Sequence, residues 1–205
     1  MTGPVEMEIR DATPKDAPAV AALHADSWRH NYRGAYSDSF LDGDVLSDRE
    51  AVWSQRLSAE HDAAATGRLP VTATLVAHRP GSPSSLIGFA HVAFDVDPQW
   101  GSLLDNLHVA HELKRSGVGS RLIAEVAREV LDHSLRRGAS RALHLYVLEQ
   151  NTNAQAFYQA RGGRFIESSF VSAPGGVASR LNGTPKRHLY AWDDASVLLP
   201  DQTGR

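Results

Sequence analysis

The chain has 205 residues, enough for one domain with a complete hydrophobic core, and we expect no second domain. Its formal net charge of −3 argues against general affinity for nucleic acid, because proteins with that affinity are usually strongly basic. The sequence has no cysteine, which excludes disulfides, thiolate metal ligands and a cysteine nucleophile.

Local patterns predict a strand, two helices, three strands, a helix, a strand, a helix and two strands, in that order. The first helix begins near Thr13, with Pro14 at the first helical position and Asp16 three residues after Thr13. The clearest helix carries apolar side chains along one face from Val118 to Leu135. This order predicts an α/β layer with helices on a mixed sheet. The predicted ranges are 7–12, 13–28, 48–60, 71–78, 86–94, 102–109, 118–135, 142–148, 153–161, 164–171 and 188–192.

Two stretches are predicted to connect these elements. RPGSPSS, residues 79–85, has the composition of a turn. SAPGGVASRLNGTP, residues 172–185, is a long connection that could cover the mouth of a pocket or form a dimer contact. We expect a single domain over residues 7–194 between flexible termini, 1–6 and 195–205.

The start of the chain, MTGPVEMEIR, is polar and lacks the apolar core of a signal peptide. No run approaches the roughly 18 apolar residues of a membrane span. A cytoplasmic protein without a membrane partner is therefore expected.

The stretch LKRSGVGSRLI, residues 113–123, places glycines where a predicted strand leads into a helix. A helix N-terminus offers unpaired N–H groups and a partial positive charge to an anion. Gly117 and Gly119 let a phosphate approach the backbone, and Lys114 and Arg115 add charge. The P-loop pattern is absent, and the dinucleotide fingerprint fails because Leu122 stands where it needs a small residue. These residues alone leave open whether the glycines bind phosphate or only begin the helix.

Charge is distributed unevenly along the chain. Residues 36–62 carry seven acids and two arginines, whereas residues 112–141 carry seven bases and four acids. Two interpretations remain open: solvated helix surfaces, or sites for ligands of opposite charge.

Three segments together resemble the GNAT superfamily of acetyl-CoA-dependent N-acetyltransferases. LHVAHELKRSGVGSRLI resembles its coenzyme segment, with Lys114 where the family usually has Gln or Arg. VLEQNTNAQAFYQARGGRF resembles its NxxAxxxY pattern through Asn151, Ala154 and Tyr158. IRDATPKDAPAVAALHADSW resembles its first strand and helix. The resemblance covers roughly residues 7–170 and implies a GNAT-like mixed, mostly antiparallel sheet flanked by helices in a single domain.

The resemblance also implies where acetyl-CoA would bind. N–H groups from about Arg115 to Ser120 would hold the pyrophosphate, and the end of the preceding strand and Asn151 would hold the pantetheine arm. The implied coenzyme-binding residues are Leu107, His108, Val109, Lys114, Arg115, Ser116, Gly117, Val118, Gly119, Ser120 and Asn151.

Acetyl transfer needs a base or a water chain, because an amine with a pKa near 10 is mostly protonated at pH 7. The resemblance implies that Tyr158 is the general acid at the sulfur, although it could also be a packed aromatic residue. Asp105 is a candidate base, with a structural carboxylate as the alternative. His108 and His111 form an HxxH pattern without a third ligand, so no metal is expected.

Trp28, Tyr32 and Tyr36 recur every four residues, which suits either core packing or one wall of an acceptor pocket. We place Trp28, Tyr32 and Asp95 in that pocket, and the acidic segment around Trp53 could favour a cationic amine. The sequence thus predicts direct acetyl transfer from acetyl-CoA to a small amine or exposed amino group in a ternary complex. A non-catalytic coenzyme A-binding sensor is the alternative, and a homodimer is left open.

Overall fold

The computed structural model describes residues 5–200, with the side chains of residues 83 and 84 excepted. These residues form one seven-stranded sheet with helices on both of its faces. The strands are β1 (Glu8–Asp11), β2 (Thr72–Arg79), β3 (Ser82–Asp97), β4 (Gly101–Val109), β5 (Leu143–Leu148), β6 (Arg164–Phe170) and β7 (Lys186–Trp192). The α-helices are α1 (Ala17–Asn31), α2 (Asp38–Asp42), α3 (Val45–Ala65), α4 (Val118–Arg137) and α5 (Thr152–Gln159).

The strands lie in the order β1-β2-β3-β4-β5-β7-β6. Every neighbouring pair is antiparallel except β4 and β5, which run parallel. That pairing is limited to Ser102 with Leu143 and Leu103 with His144. The two strands therefore part beyond Leu103 and open a cleft in the sheet. The predicted mixed, mostly antiparallel sheet flanked by helices is confirmed.

Successive residues of the central strands point to opposite faces and so contact different helices. Leu75 and Ala90 belong to the core that α4 covers, whereas their neighbours Val76 and Phe89 pack with α1 and α3. The cleft consequently has α4 and α5 on one side, and α1 and α3 on the other.

A β-bulge interrupts β4 at the cleft. His91 pairs with Asn106 and Val92 pairs with Leu104, so Asp105 is an extra residue between two paired ones. The bulge leaves Asp105 without a partner on β3, and its side chain lines the cleft.

Several predicted boundaries differ from the structure. Helix α3 runs well beyond 48–60, and the short α2 was not predicted. Strand β3 begins at Ser82, inside the predicted turn, because Arg79 pairs with Ser82 and leaves only Pro80 and Gly81 in the hairpin loop. Gly81 supplies the left-handed φ of +70° that this loop requires.

The start of the predicted C-terminal tail is packed. Ala195–Leu198 forms a 3₁₀ turn, and Ala195 and Leu198 join the core beside α4. The rest of the tail beyond residue 200, and residues 1–4 of the predicted N-terminal tail, lie outside the described residues. Within 5–200, no helix has the length and apolar content needed to span a membrane.

Candidate active site

The predicted anion loop joins β4 to α4. Gly117 occupies the N-cap position of α4 with a left-handed φ of +92°, and Arg115 is left-handed at +66°. Left-handed residues are unusual outside glycine and are associated with functional loops. Since the first N–H groups of a helix lack partners within it, the N-terminus of α4 presents free donors just after Gly117.

Two basic side chains near this loop are fixed by other parts of the protein. Lys114 Nζ donates to Asn31 Oδ1 at 2.8 Å, which ties the loop to the end of α1, and burial lowers the pKa of Lys114. Arg161 lies just beyond α5, donates to Ser120 Oγ and stacks over the Phe157 ring at 3.7 Å from its centroid. Sequence reasoning missed Arg161, although it follows Tyr158 by three residues in the same motif.

Gly119 lies between the end of β4 and α5. A Cβ atom there would be 3.5 Å from the Phe157 ring and 3.7 Å from Val109 Cγ2. Asn151 caps α5, where its Oδ1 accepts from the Ala154 N–H at 3.2 Å. The end of β4, the glycine loop and the Phe157 ring of α5 thus lie close together.

Tyr158 lies on the same side of the sheet, buried among aromatic rings. Its ring centroid is 5.2 Å from that of Phe157, 6.4 Å from Tyr190 and 6.2 Å from Trp192. Burial raises the pKa of Tyr158, and the nearby Tyr32 adds to the shift. The phenol therefore stays protonated through the neutral range, and its hydroxyl lacks a hydrogen-bond partner in residues 5–200.

On the other side of the sheet lies a cleft of about 440 Å³ between α1, α3 and the parted strands. Asp105 is on its wall, where Oδ2 accepts from Arg56 Nη1 at 2.8 Å and from Asn106 Nδ2 at 2.7 Å. The Asp105 side chain is still 35% exposed, so a ligand in the cleft can reach it.

An aromatic cluster forms the opposite wall. The Trp28 and Tyr32 rings stack with centroids 5.5 Å apart, and Tyr36 meets Trp28 edge-on at 5.0 Å. Tyr36 does not continue the helical stripe, because α1 ends at Asn31 and the chain turns at Gly34, whose φ is +86°. Burial, followed by the charge of Asp105, raises the pKa of Tyr32 to about 12.

The histidines of the HxxH pattern have separate partners. His108 Nδ1 lies 2.7 Å from Ser27 Oγ on α1, and burial lowers the pKa of His108 to about 4. His111 stacks on His30 with ring centroids 4.5 Å apart. Across residues 5–200, no three His, Asp or Glu side chains are grouped as metal ligands.

Asp95 does not line the cleft, contrary to its predicted place in the acceptor pocket. The pairing of β3 with β4 becomes irregular after Ala93, and Asp95 has a left-handed φ of +50°. Its Oδ2 lies 3.2 Å from His133 Nε2 on α4. Strand alternation could not predict this, because it assumes regular pairing.

The long connection over residues 172–185 folds against the cleft as two 3₁₀ turns. Ser172, Pro174 and Gly175 line the cleft. Arg180 holds the connection in place through a 2.6 Å contact with Asp48 on α3. Of the two roles left open for this segment, covering the pocket mouth is the one that these contacts support.

The comparisons with known proteins agree with this architecture. The profile of the Acetyltransferase (GNAT) family matches residues 25–163. A probable N-acetyltransferase of Mycobacterium tuberculosis is 27% identical over 171 residues, covering 83% of this chain and 87% of the relative. The thialysine N-epsilon-acetyltransferase of Bos taurus is 29% identical over 151 residues, covering 70% and 81%.

Among solved structures, the PaiA N-acetyltransferase of Thermoplasma acidophilum in complex with coenzyme A has the same fold. Its TM-score is 0.61 at 19% identity, covering 92% of this chain and 100% of that one. Because the family profile covers more than half of the chain, the protein belongs to the GNAT family of acetyltransferases.

Proposed function

We propose that the protein transfers an acetyl group from acetyl-CoA directly to a small amine or an exposed amino group. The observation that carries this proposal is the parting of β4 and β5 beside an open cleft, on the strand that leads into the glycine loop. An open cleft favours an enzyme over a coenzyme sensor, because a sensor has no need of a second binding space.

The residues around the loop suit coenzyme A. Free N–H groups at the start of α4 and the guanidinium of Arg161 would bind the pyrophosphate, since both offer positive charge to an anion. The space beside Gly117 admits a ligand because, its chain neighbours aside, no atom of residues 5–200 lies within 4 Å of where a Cβ atom would be. The Thermoplasma acidophilum protein that shares this fold was solved in complex with coenzyme A, which supports coenzyme A as the ligand.

The chemistry requires one bond to form and one to break. The amine nitrogen bonds to the acetyl carbon and loses a proton, the carbon–sulfur bond breaks, and the coenzyme leaves as a thiolate that takes a proton from solvent. We assign the amine proton to Asp105, directly or through water, because this carboxylate is the acidic group on the β4 wall of the cleft. We assign the hydrogen bond to the departing sulfur to Tyr158, whose phenol remains protonated.

The absence of cysteine, a common carrier of a covalent acetyl group, supports direct transfer within a ternary complex. The amine must therefore bind while acetyl-CoA is still present.

Thiol release from acetyl-CoA, measured across a panel of amines, tests the proposal. We expect at least one amine to accelerate release above the rate of hydrolysis, with mass spectrometry showing the acetylated amine. Asp105→Asn should lower kcat about 100-fold while the affinity for acetyl-CoA, measured by calorimetry, stays the same. Tight binding of acetyl-CoA without acceleration by any amine would instead indicate the sensor.

A further inference from the structure

The acidic residues near the cleft are already paired with arginines. Asp48 accepts from Arg49 Nε at 3.0 Å and from Arg180 Nη1 at 2.6 Å. Asp105 accepts from Arg56. The two carboxylates that line the cleft, Asp48 and Asp105, therefore do not leave a free negative charge to attract a cation.

Arg187 differs from the other arginines of the cleft. It lies on β7 opposite Leu148, and its guanidinium stacks over the Tyr146 ring, 3.8 Å from the centroid. Its Nε donates to Ser169 Oγ at 3.1 Å. No carboxylate within residues 5–200 forms an ion pair with it, and its two Nη groups donate no hydrogen bond to those residues.

The positive charge of Arg187 acts inside the cleft. Burial raises the pKa of Tyr36, and the charges of Arg49 and Arg187 oppose that shift. Both guanidinium groups therefore act on the Tyr36 hydroxyl, on the aromatic side of the cleft. The charged side chains that line the cleft are Arg49, Arg56, Arg187, Asp48 and Asp105, so the positive charge of Arg187 is in excess.

We propose that Arg187 binds a carboxylate of the acceptor, which makes the acceptor a small amine that also carries a carboxylate group. The two free Nη groups match the two oxygens of a carboxylate, and stacking on Tyr146 holds the guanidinium plane in place. The amine would lie towards Asp105, on the β4 wall. A volume of about 440 Å³ is within the range of roughly 300–1,000 Å³ typical of small-molecule sites.

This inference rests on the proposed function and specifies the substrate class for the same site. It also departs from the expectation that the acidic segment could favour a cationic amine, because Asp48, the acid of that segment that lines the cleft, is paired with Arg49 and Arg180.

The test compares matched acceptors that differ only in the carboxyl group. Lysine, ornithine and β-alanine are each assayed beside the corresponding carboxamide, with cadaverine as an amine that has no carboxyl group and 2-aminoethyl phosphate as a phosphate-bearing amine. For the wild type, we expect kcat/KM to be at least tenfold higher for the best acid than for its amide. Arg187→Gln should lower kcat/KM for the acid about 10- to 100-fold and leave the amide within twofold.

Two further variants control for charge and folding. Arg187→Lys keeps the charge without the planar pair of donors. Its preference for the acid over the amide should therefore lie between those of the wild type and Arg187→Gln. Arg164→Gln removes an exposed arginine that pairs with Asp193 outside the cleft and should leave the preference unchanged. If Arg187→Gln shows no thermal unfolding transition and is therefore not folded, the test uses the ratio of kcat/KM for the acid to kcat/KM for its amide in Arg187→Lys.

Each contrary result has a separate meaning. Amides acetylated as well as acids, or 2-aminoethyl phosphate preferred, would overturn the carboxylate inference and leave the acetyltransferase proposal intact. An acid preference that survives in both Arg187 variants would overturn the role of Arg187. If no amine releases thiol although acetyl-CoA binds, the proposed function fails and the inference fails with it.

Discussion

Tyr158→Phe removes one hydroxyl and keeps the ring, so it separates chemistry from packing. The ring lies among Phe157, Tyr190 and Trp192, and these contacts remain in the variant. Because the hydroxyl has no hydrogen-bond partner within residues 5–200, its loss leaves no buried polar group unpaired. We expect the free energy of unfolding to change by less than about 1 kcal/mol.

The expected effect on catalysis follows from the acidities of the two groups. A phenol with a pKa near 10 is a weaker acid than a thiol with a pKa near 8.5, so proton transfer to a free thiolate costs about 2 kcal/mol in water. Burial raises the pKa of Tyr158 and increases that cost. The useful contribution is therefore a hydrogen bond donated to the sulfur as the carbon–sulfur bond breaks. Such a bond to a charged group is worth about 1.5–3 kcal/mol, which corresponds to a loss of about 10- to 150-fold in kcat.

The assay is thiol release at saturating amine from pH 6 to 9, with acetyl-CoA affinity measured by calorimetry. Because a raised pKa keeps the phenol protonated throughout this window, the loss in kcat should be the same at each pH. Tyr190→Phe is the matched control: Tyr190 accepts from Gln159 Nε2 at 2.9 Å, so its loss should affect stability but not kcat. Equal kcat for wild type and Tyr158→Phe at every pH would refute the assignment.

Other variants test the loop and the fold. Gly117→Ala should lower the free energy of unfolding by about 1–2 kcal/mol in denaturant titrations, because its φ is left-handed; unchanged stability would contradict this. Gly119→Val should fold but bind acetyl-CoA at least tenfold more weakly by calorimetry, with Gly119→Ala less affected, since a larger side chain crowds Phe157; equal affinity would exclude the site. Arg161→Gln should weaken acetyl-CoA binding and reduce its salt dependence, whereas an identical salt series would make Arg161 a packing residue. Arg10 lowers the pKa of Asp16 to about 2, so the stability that Asp16 contributes is present above its ordinary pKa near 4 and is lost as the pH falls towards 2. Asp16→Asn should accordingly destabilise the protein by roughly 1–2 kcal/mol at pH 7 and have little effect at pH 2, and an equal effect at both pH values would be inconsistent with this linkage.

The fold was largely predictable because its signals are local. The apolar face from Val118 predicted α4 to within two residues of its end at Arg137. The glycine loop and the NxxAxxxY pattern identified the family, which the family profile confirms. Both motifs are continuous in sequence, so they can be recognised without knowledge of tertiary contacts.

The arrangement of charges was not predictable, because it depends on residues far apart in the chain. The acidic segment looked like a site for a cation, yet Arg180 reaches Asp48 from the connection after β6, and the same acid also pairs with Arg49. The sequence does not identify Arg187 as a cleft residue, since nothing nearby distinguishes it from a surface arginine. Only the pairing of β7 with β5 places it in the cleft.

The cleft itself follows from a mismatch between two strands. Parallel pairing of β4 with β5 stops after Leu103 and His144, although both strands continue. On β4, the residues beyond Leu103 keep their pairing with β3 but not with β5, so their other edge is free to bind an extended ligand. The bulge at Asp105 lies on this open stretch and places a carboxylate beside that edge. Without the bulge, Asp105 would pair with β3. The neighbouring β4 residues would then shift by one position in register, and their side chains would point to the opposite face of the sheet. The bulge therefore links the strand that would bind the coenzyme arm to the side chain that we assign to the amine.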